Sequence, residues 1–174
     1  MNLAWLLFED LSINARGKVT LYHFSKAKTD SVSLDPERVG QTSFSRREMN
    51  TSSVPRVFFY LDPEQREVMF QNPVYHLFYV EVPFGSIYNL REDSKGYKKQ
   101  FASEQTGTVD FHALLKHLSG WNKLSGEGWT KTNPLYKGVY YNVGFDVVAW
   151  FDPITVTNFK LGNIISTYDE RTDQ

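Results

Sequence analysis

A chain of 174 residues has room for one domain, and a domain of that size buries roughly 70% of the surface its unfolded form exposes. Its 19 basic and 20 acidic residues leave a formal charge of -1, too small to gather nucleic acid or anionic lipid through a global field. There is no cysteine, which excludes disulfides, thiolate catalysis and cysteine-ligated metals and suits a reducing compartment.

The opening "MNLAWLLFEDL" carries a short apolar run, Leu3 to Phe8, without a basic stretch before it, and Glu9 and Asp10 follow at once. It reads as an amphipathic helical extension over residues 1–17 that docks on the body, and not as a signal peptide or membrane span. "KVTLYHFS", residues 18–25, has apolar or aromatic residues on both pleat faces, the pattern of an interior strand. Pro36, Gly40 and a Ser/Thr/Asn cluster then mark a long loop with at most one helical turn inside it. "RVFFYLD", residues 56–62, resumes as a strand closed by Asp62-Pro63, and "YHLFYVEVP" alternates as a further strand.

The polar stretch Asp93 to Thr108 reads as a surface excursion. Asp110 is placed to cap a helix in which Phe111, Leu114, Leu115 and Leu118 recur at helical spacing and which Gly120 stops. "WNKLSGEGWTKTNPLYK" reads as a loop carrying two tryptophans. "GVYYNVG" and "FDVVAWFD" read as two strands joined near Gly144, with Pro153 ending the second; "ITVTNFKL" supplies the last strand, and residues 166–174 read as a polar flexible tail. Hairpin-like neighbours with few crossover helices favour α+β over a doubly wound sheet. The core must be rich in large flat side chains, given 13 Phe, 10 Tyr and 4 Trp.

Several chemistries have no starting point. There is no phosphate-binding loop with its Gly-Lys-Ser/Thr, and "GEGWTK" lacks the third glycine of a dinucleotide fingerprint. His23, His76, His112 and His117 do not form a metal spacing, and no Gly-x-Ser-x-Gly elbow presents a serine. Lys116, Lys123, Lys131 and Lys137 interleave with Trp121 and Trp129, as a single-strand nucleic-acid platform would, but packing of the rings beside solvated lysines accounts for the same pattern.

Taken in order, "LYHFS", "RVFFYLD", "LFYVEVPFGSIYNL" and "FDVVAWFDPITV" resemble the strand series of the ADP-ribosyltransferase superfamily, in the branch of poly(ADP-ribose) polymerases and diphtheria-like toxins. The segments "LYHFS...LDPERVG...VPRVFFYLDP" and "GVYY...VVAWFDP" are similar to such domains carried by phage and mobile elements. The likeness covers roughly residues 19–160. It implies two packed, mostly antiparallel sheets forming an NAD cleft, with few flanking helices and no metal.

It also implies roles. His23 matches the histidine that bonds the nicotinamide-side ribose, and Tyr60 the aromatic that stacks on nicotinamide, with Phe59 the competitor because one register step swaps their faces. Asp146 stands where the family has a glutamate that holds the ribose 2'-hydroxyl, one residue farther from the strand end. Ser25, on the same face as His23, is a candidate for the nicotinamide amide, and Arg56, with Arg46 or Arg47, for the NAD diphosphate. Taken singly, His23 also reads as a satisfied core histidine, Tyr60 as core or cleft lining, Asp146 as a turn residue and Arg46 and Arg47 as solvated loop arginines.

The function so implied is a mono-ADP-ribosyltransferase that takes NAD as substrate and modifies a macromolecule, a protein rather than a nucleic acid. It would be phage-encoded and act in the host cytoplasm, with no membrane partner. Two alternatives stand beside it: a catalytically inactive binding or virion-associated relative, and an NAD-dependent RNA 2'-phosphotransferase, which would want more arginines around its cleft.

Overall fold

The computed structural model describes residues 11, 13–39, 54–63, 76–123, 128–142 and 146–159. The expected helix over residues 1–10, Arg46 and Arg47, the junction at Gly144 and the tail at 166–174 lie outside them. The chain is α+β, mostly strand with few helices, as its sequence indicated. It divides into two compact units: residues 1–33, 59–84 and 154–174 in the first, 34–58 and 85–153 in the second.

The first unit is built around β1 (Lys18–Ser25). Val19 and Leu21 of β1 are fully buried, and the strand runs antiparallel to β4 (His76–Pro83) over eight register pairs from Lys18↔Pro83 to Ser25↔His76. Its other neighbour is β3 (Val57–Tyr60), paired antiparallel at Tyr22↔Tyr60, so β1 is interior, as its two-faced apolar pattern required. Beyond β4 come β10 (Ile154–Asn158) and β2 (Ser31–Leu34), giving the order β2-β10-β4-β1-β3. β2 escaped the sequence reading because "SVSL" is short and largely exposed.

Residues 13–17, expected to continue a helix, instead make a β-bridge, Ile13↔Val19, and a turn. Asn14 Oδ1 accepts the backbone amides of Arg16 (2.9 Å) and Lys18 (3.1 Å), and Gly17 takes φ +70°. An Asn whose side chain satisfies the amide two residues on favours such a turn over a helix. Asn14 Nδ2 also donates to Glu81 Oε1 at 2.8 Å, and Arg16 Nη2 pairs with Glu81 at 2.8 Å, which ties the turn to β4.

In the second unit α1 (Pro36–Val39) is a helical turn within the stretch expected as a long loop, of which residues 40–53 lie outside the described residues. β8 (Gly138–Asn142) and β9 (Asp146–Trp150) form an antiparallel pair from Gly138↔Trp150 to Asn142↔Asp146. On the other side of β8 lies β5 (Ile87–Asn89), and this pair is parallel. A three-residue strand closing a parallel pair with a partner fifty residues away leaves no local signature, which is why "IYN" did not stand out.

α2 (Tyr97–Gln100) and α3 (Phe111–Ser119) lie between β5 and β8 in the chain. Asp110 Oδ1 accepts the Ala113 amide at 3.1 Å and Gly120 ends α3 at φ +72°, as the capping residues indicated. A Cβ at Gly120 would collide with the Thr132 carbonyl, so this stop is also a close approach of two backbones. Leu114, Leu115 and Leu118 are fully buried, and α3 packs on β8 and on β6 (Trp121–Lys123).

The tryptophan segment is not a loop: β6 (Trp121–Lys123) and β7 (Trp129–Lys131) form a hairpin with Trp121 opposite Lys131 and Lys123 opposite Trp129. Lys131 Nζ lies over the Trp121 ring at 5.4 Å and Lys123 Nζ over Trp129 at 5.9 Å. The Lys/Trp interleaving is thus cross-strand cation-π packing. Trp121 is buried and its indole N–H donates to Phe151 O at 3.0 Å.

The polar stretch after β5 is surface-exposed but well anchored. Asp93, in the left-handed region at φ +48°, accepts Tyr88 Oη at 2.6 Å and the amides of Tyr97 (2.9 Å) and Lys98 (3.0 Å), so it caps α2. Burial pushes the Asp93 carboxyl up, but those three bonds outweigh it and hold it below its ordinary value. Burial and then the bond to Asp93 push the Tyr88 hydroxyl up to about 12.

Candidate functional site

His23, Ser25, Phe59 and Tyr60 belong to the first unit, Arg56 and Asp146 to the second. On β1 the odd-numbered residues from Val19 to Ser25 share one face, together with Val82, Val80, Phe78 and His76 opposite them on β4. His23 is half-buried there, across from the fully buried Phe78.

The pairing Tyr22↔Tyr60 sets the two aromatic candidates on opposite faces. It places Tyr60 on the face of Tyr22 and Phe24, where its ring meets Phe24 at 5.6 Å. One step along, Phe59 falls opposite His23, and the imidazole and phenyl rings lie 5.6 Å apart with planes at 57°. Phe59 is therefore a ring neighbour of His23. Period-two alternation makes that single register step a change of face, so the two candidates for the stacking role point to opposite sides of the strand.

Ser25 does share the His23 face, opposite His76. Its Oγ accepts the Ala27 amide at 3.2 Å. The His76 Nε2 is buried with no hydrogen-bond partner. This face of the first unit thus brings together the buried Phe59 ring, two imidazoles and a hydroxyl.

Asp146 begins β9, and the register that sets it opposite Asn142 lets Asn142 Nδ2 donate to its Oδ1 at 2.8 Å. Arg91, from the turn after β5, reaches the same Oδ1 at 3.4 Å and the Tyr140 hydroxyl at 3.2 Å. Both carboxylate contacts fall on Oδ1 and hold the group in a fixed orientation at a partly exposed position. Arg91 and Asn142 were not singled out from the sequence. Arg91 meets Asp146 through the parallel β5–β8 pairing, and nothing within a few residues of either announces it.

Arg56 is 1% exposed, its guanidinium carbon 5.1 Å from the Phe58 ring centroid and its Nη1 donating to Val54 O at 2.6 Å. Burial pulls its pKa below the ordinary arginine value, and the nearby Tyr141 phenol opposes that shift. Its Nε and Nη2 are buried without a hydrogen-bond partner.

Among the described residues no group of three or more His, Asp or Glu could hold a metal ion, and no helix is long and apolar enough to cross a membrane. Comparison with family profiles, with characterised proteins and with solved structures gives no match for this chain.

Proposed function

We propose that the protein is a mono-ADP-ribosyltransferase that uses NAD as substrate and has the two-sheet, NAD-cleft architecture of the superfamily its strand series resembles. The observation that carries the reading is the contact of the half-buried His23 with Phe59 on one strand face, with Ser25 two residues on. Phe59 takes the stacking role for nicotinamide, His23 the hydrogen bond that orients the adjoining ribose, and Ser25 the carboxamide.

The chemistry asks for little more. The C1'–N1 glycosidic bond breaks with its electron pair going to the pyridinium nitrogen, so nicotinamide leaves neutral and needs no general acid. Glycosidases face the same oxocarbenium-like sugar but must also protonate their leaving group. A nucleophile of the acceptor then attacks C1' and loses its proton to solvent. What the protein contributes is a fixed geometry and negative charge near the developing cation. In the resemblance Asp146 has the second role. The acceptor is a macromolecule, a protein rather than a nucleic acid, and a phage-encoded enzyme of this kind would work in the bacterial cytoplasm.

A second reading has its own observation: Asp146 is one methylene shorter than the family's glutamate, and its Oδ1 is engaged by Arg91 and Asn142. On that reading the protein is a catalytically inactive binding relative. Nicotinamide release from NAD, measured with bacterial lysate as acceptor, separates the two. Release that His23→Ala abolishes supports the enzyme; an NAD-dependent thermal shift without release supports the inactive relative; neither release nor shift removes both.

A further inference from the structure

Arg56 is the most unusual polar residue of the second unit. Its guanidinium lies against Phe58 on β3, and Nη1 is used on the Val54 carbonyl at 2.6 Å. These contacts fix the plane and one end of the group. What remains is the edge formed by Nε and Nη2, both buried and without a hydrogen-bond partner. These are not two arbitrary orphans. In a guanidinium the Nε–H and one Nη2–H point the same way and form the fork that takes both oxygens of a carboxylate or phosphate group.

The energetics make the edge informative. A guanidinium does not discharge on burial as a lysine or histidine does, because arginine keeps its proton in proteins. A buried cation without a counter-charge is among the costliest arrangements a protein retains, and among the described residues no carboxylate pairs with it. Burying an apolar side chain of similar volume at this position would be cheaper for stability alone. Position 56 holds the one residue type built to chelate a two-oxygen anion.

We propose that Arg56 is an oxyanion-binding residue: its Nε–Nη2 edge takes, in bidentate fashion, a singly charged group of the phosphodiester or carboxylate type belonging to a bound ligand. One guanidinium balances one negative charge, which sets the class. The inference does not rest on the nicotinamide reading, because an anion can occupy this edge whether or not NAD is the substrate.

The test uses the whole chain with inorganic phosphate and acetate as separate probes and chloride at equal ionic strength as reference. Two quantities are read: the Tm and the side-chain Nε–H NMR resonance of Arg56, assigned by its loss in Arg56→Lys. Occupation moves the Nε–H resonance and, with the anion tenfold above its Kd, raises Tm by about 4 °C. A response to phosphate and not to acetate assigns the phosphodiester class; the reverse assigns a carboxylate ligand. Arg56→Met in chloride is at least as stable as the parent and does not respond to either anion. An unmoved resonance in the parent protein overturns the proposal even if Arg56→Met fails to fold, and so does a folded Arg56→Met whose Tm rises as much as the parent's.

Discussion

His23 and Arg56 are both drawn away from water, and the protein treats them differently. The imidazole is half-buried against Phe59 on a strand face, a common setting for a histidine. The guanidinium is almost wholly buried, cannot neutralise, and keeps one donor edge unfilled. The difference teaches that burial means different things for the two groups. For a histidine it is an ordinary packing outcome that acquires meaning from its neighbours, whereas for an unpaired arginine it is itself the signal.

The strongest way to break this contrast acts on the first unit. If His23 works through position rather than packing, His23→Ala lowers nicotinamide release about 100-fold, the penalty of misplacing a bound reactant, while the folded fraction in a urea titration changes little. A large loss of stability with unchanged turnover per folded molecule would make His23 a core histidine and nothing more. The aromatic choice follows. Phe59 is fully buried, so Phe59→Ala costs about 3–5 kcal/mol, and the milder Phe59→Leu is the usable probe. Phe59→Leu weakens NAD binding by isothermal titration and Tyr60→Phe does not; the opposite result would restore Tyr60 to the role first read from the sequence.

The second unit offers a pH test of how it handles a different buried polar group. Tyr88 is held neutral in the fold, its hydroxyl raised from 10.0 to about 12. A raised folded value means that the contribution is fully present below the unfolded value and is lost as pH climbs through the folded one. Stability by urea titration should therefore fall between pH 10 and about 12, and Tyr88→Phe should flatten that part of the profile. Asp93 gives the mirror case: with its carboxyl held low, its contribution is present above the unfolded carboxylate value and lost as pH falls through the folded one.

Smaller effects sharpen the edges of the picture. Removing the cap with Asp110→Ala should cost about 1 kcal/mol in the same titration. Arg91→Ala, which breaks a partly exposed pair with Asp146, should cost less than about 1 kcal/mol. Any larger effect of Arg91→Ala on turnover than on stability would place the Arg91–Asp146 contact in the chemistry.

The sequence by itself determined the elements whose signals lie within a few residues of one another. β1, β4, β8 and β9 follow from short apolar alternations or runs, and α3 from leucines at helical spacing between Asp110 and Gly120. The same local grammar put His23 and Ser25 on one face. It missed β2, β5 and the β6–β7 hairpin because three or four residues carry too little periodicity to stand above their flanks, and it wrote a helix where the Asn14 side chain makes a turn.

Register, burial and long-range pairing were decided only by the tertiary structure. Whether Phe59 or Tyr60 shares the His23 face depends on one step of alignment between residues thirty-eight apart in the chain, Tyr22↔Tyr60. That Arg91 reaches Asp146 depends on the parallel β5–β8 pair, and that Arg56 is sealed from water depends on what packs over the start of β3. Hydrophobic patterning says which side chains leave water, but it does not say which partner they meet there, because that choice belongs to contacts the chain forms only once it has closed on itself.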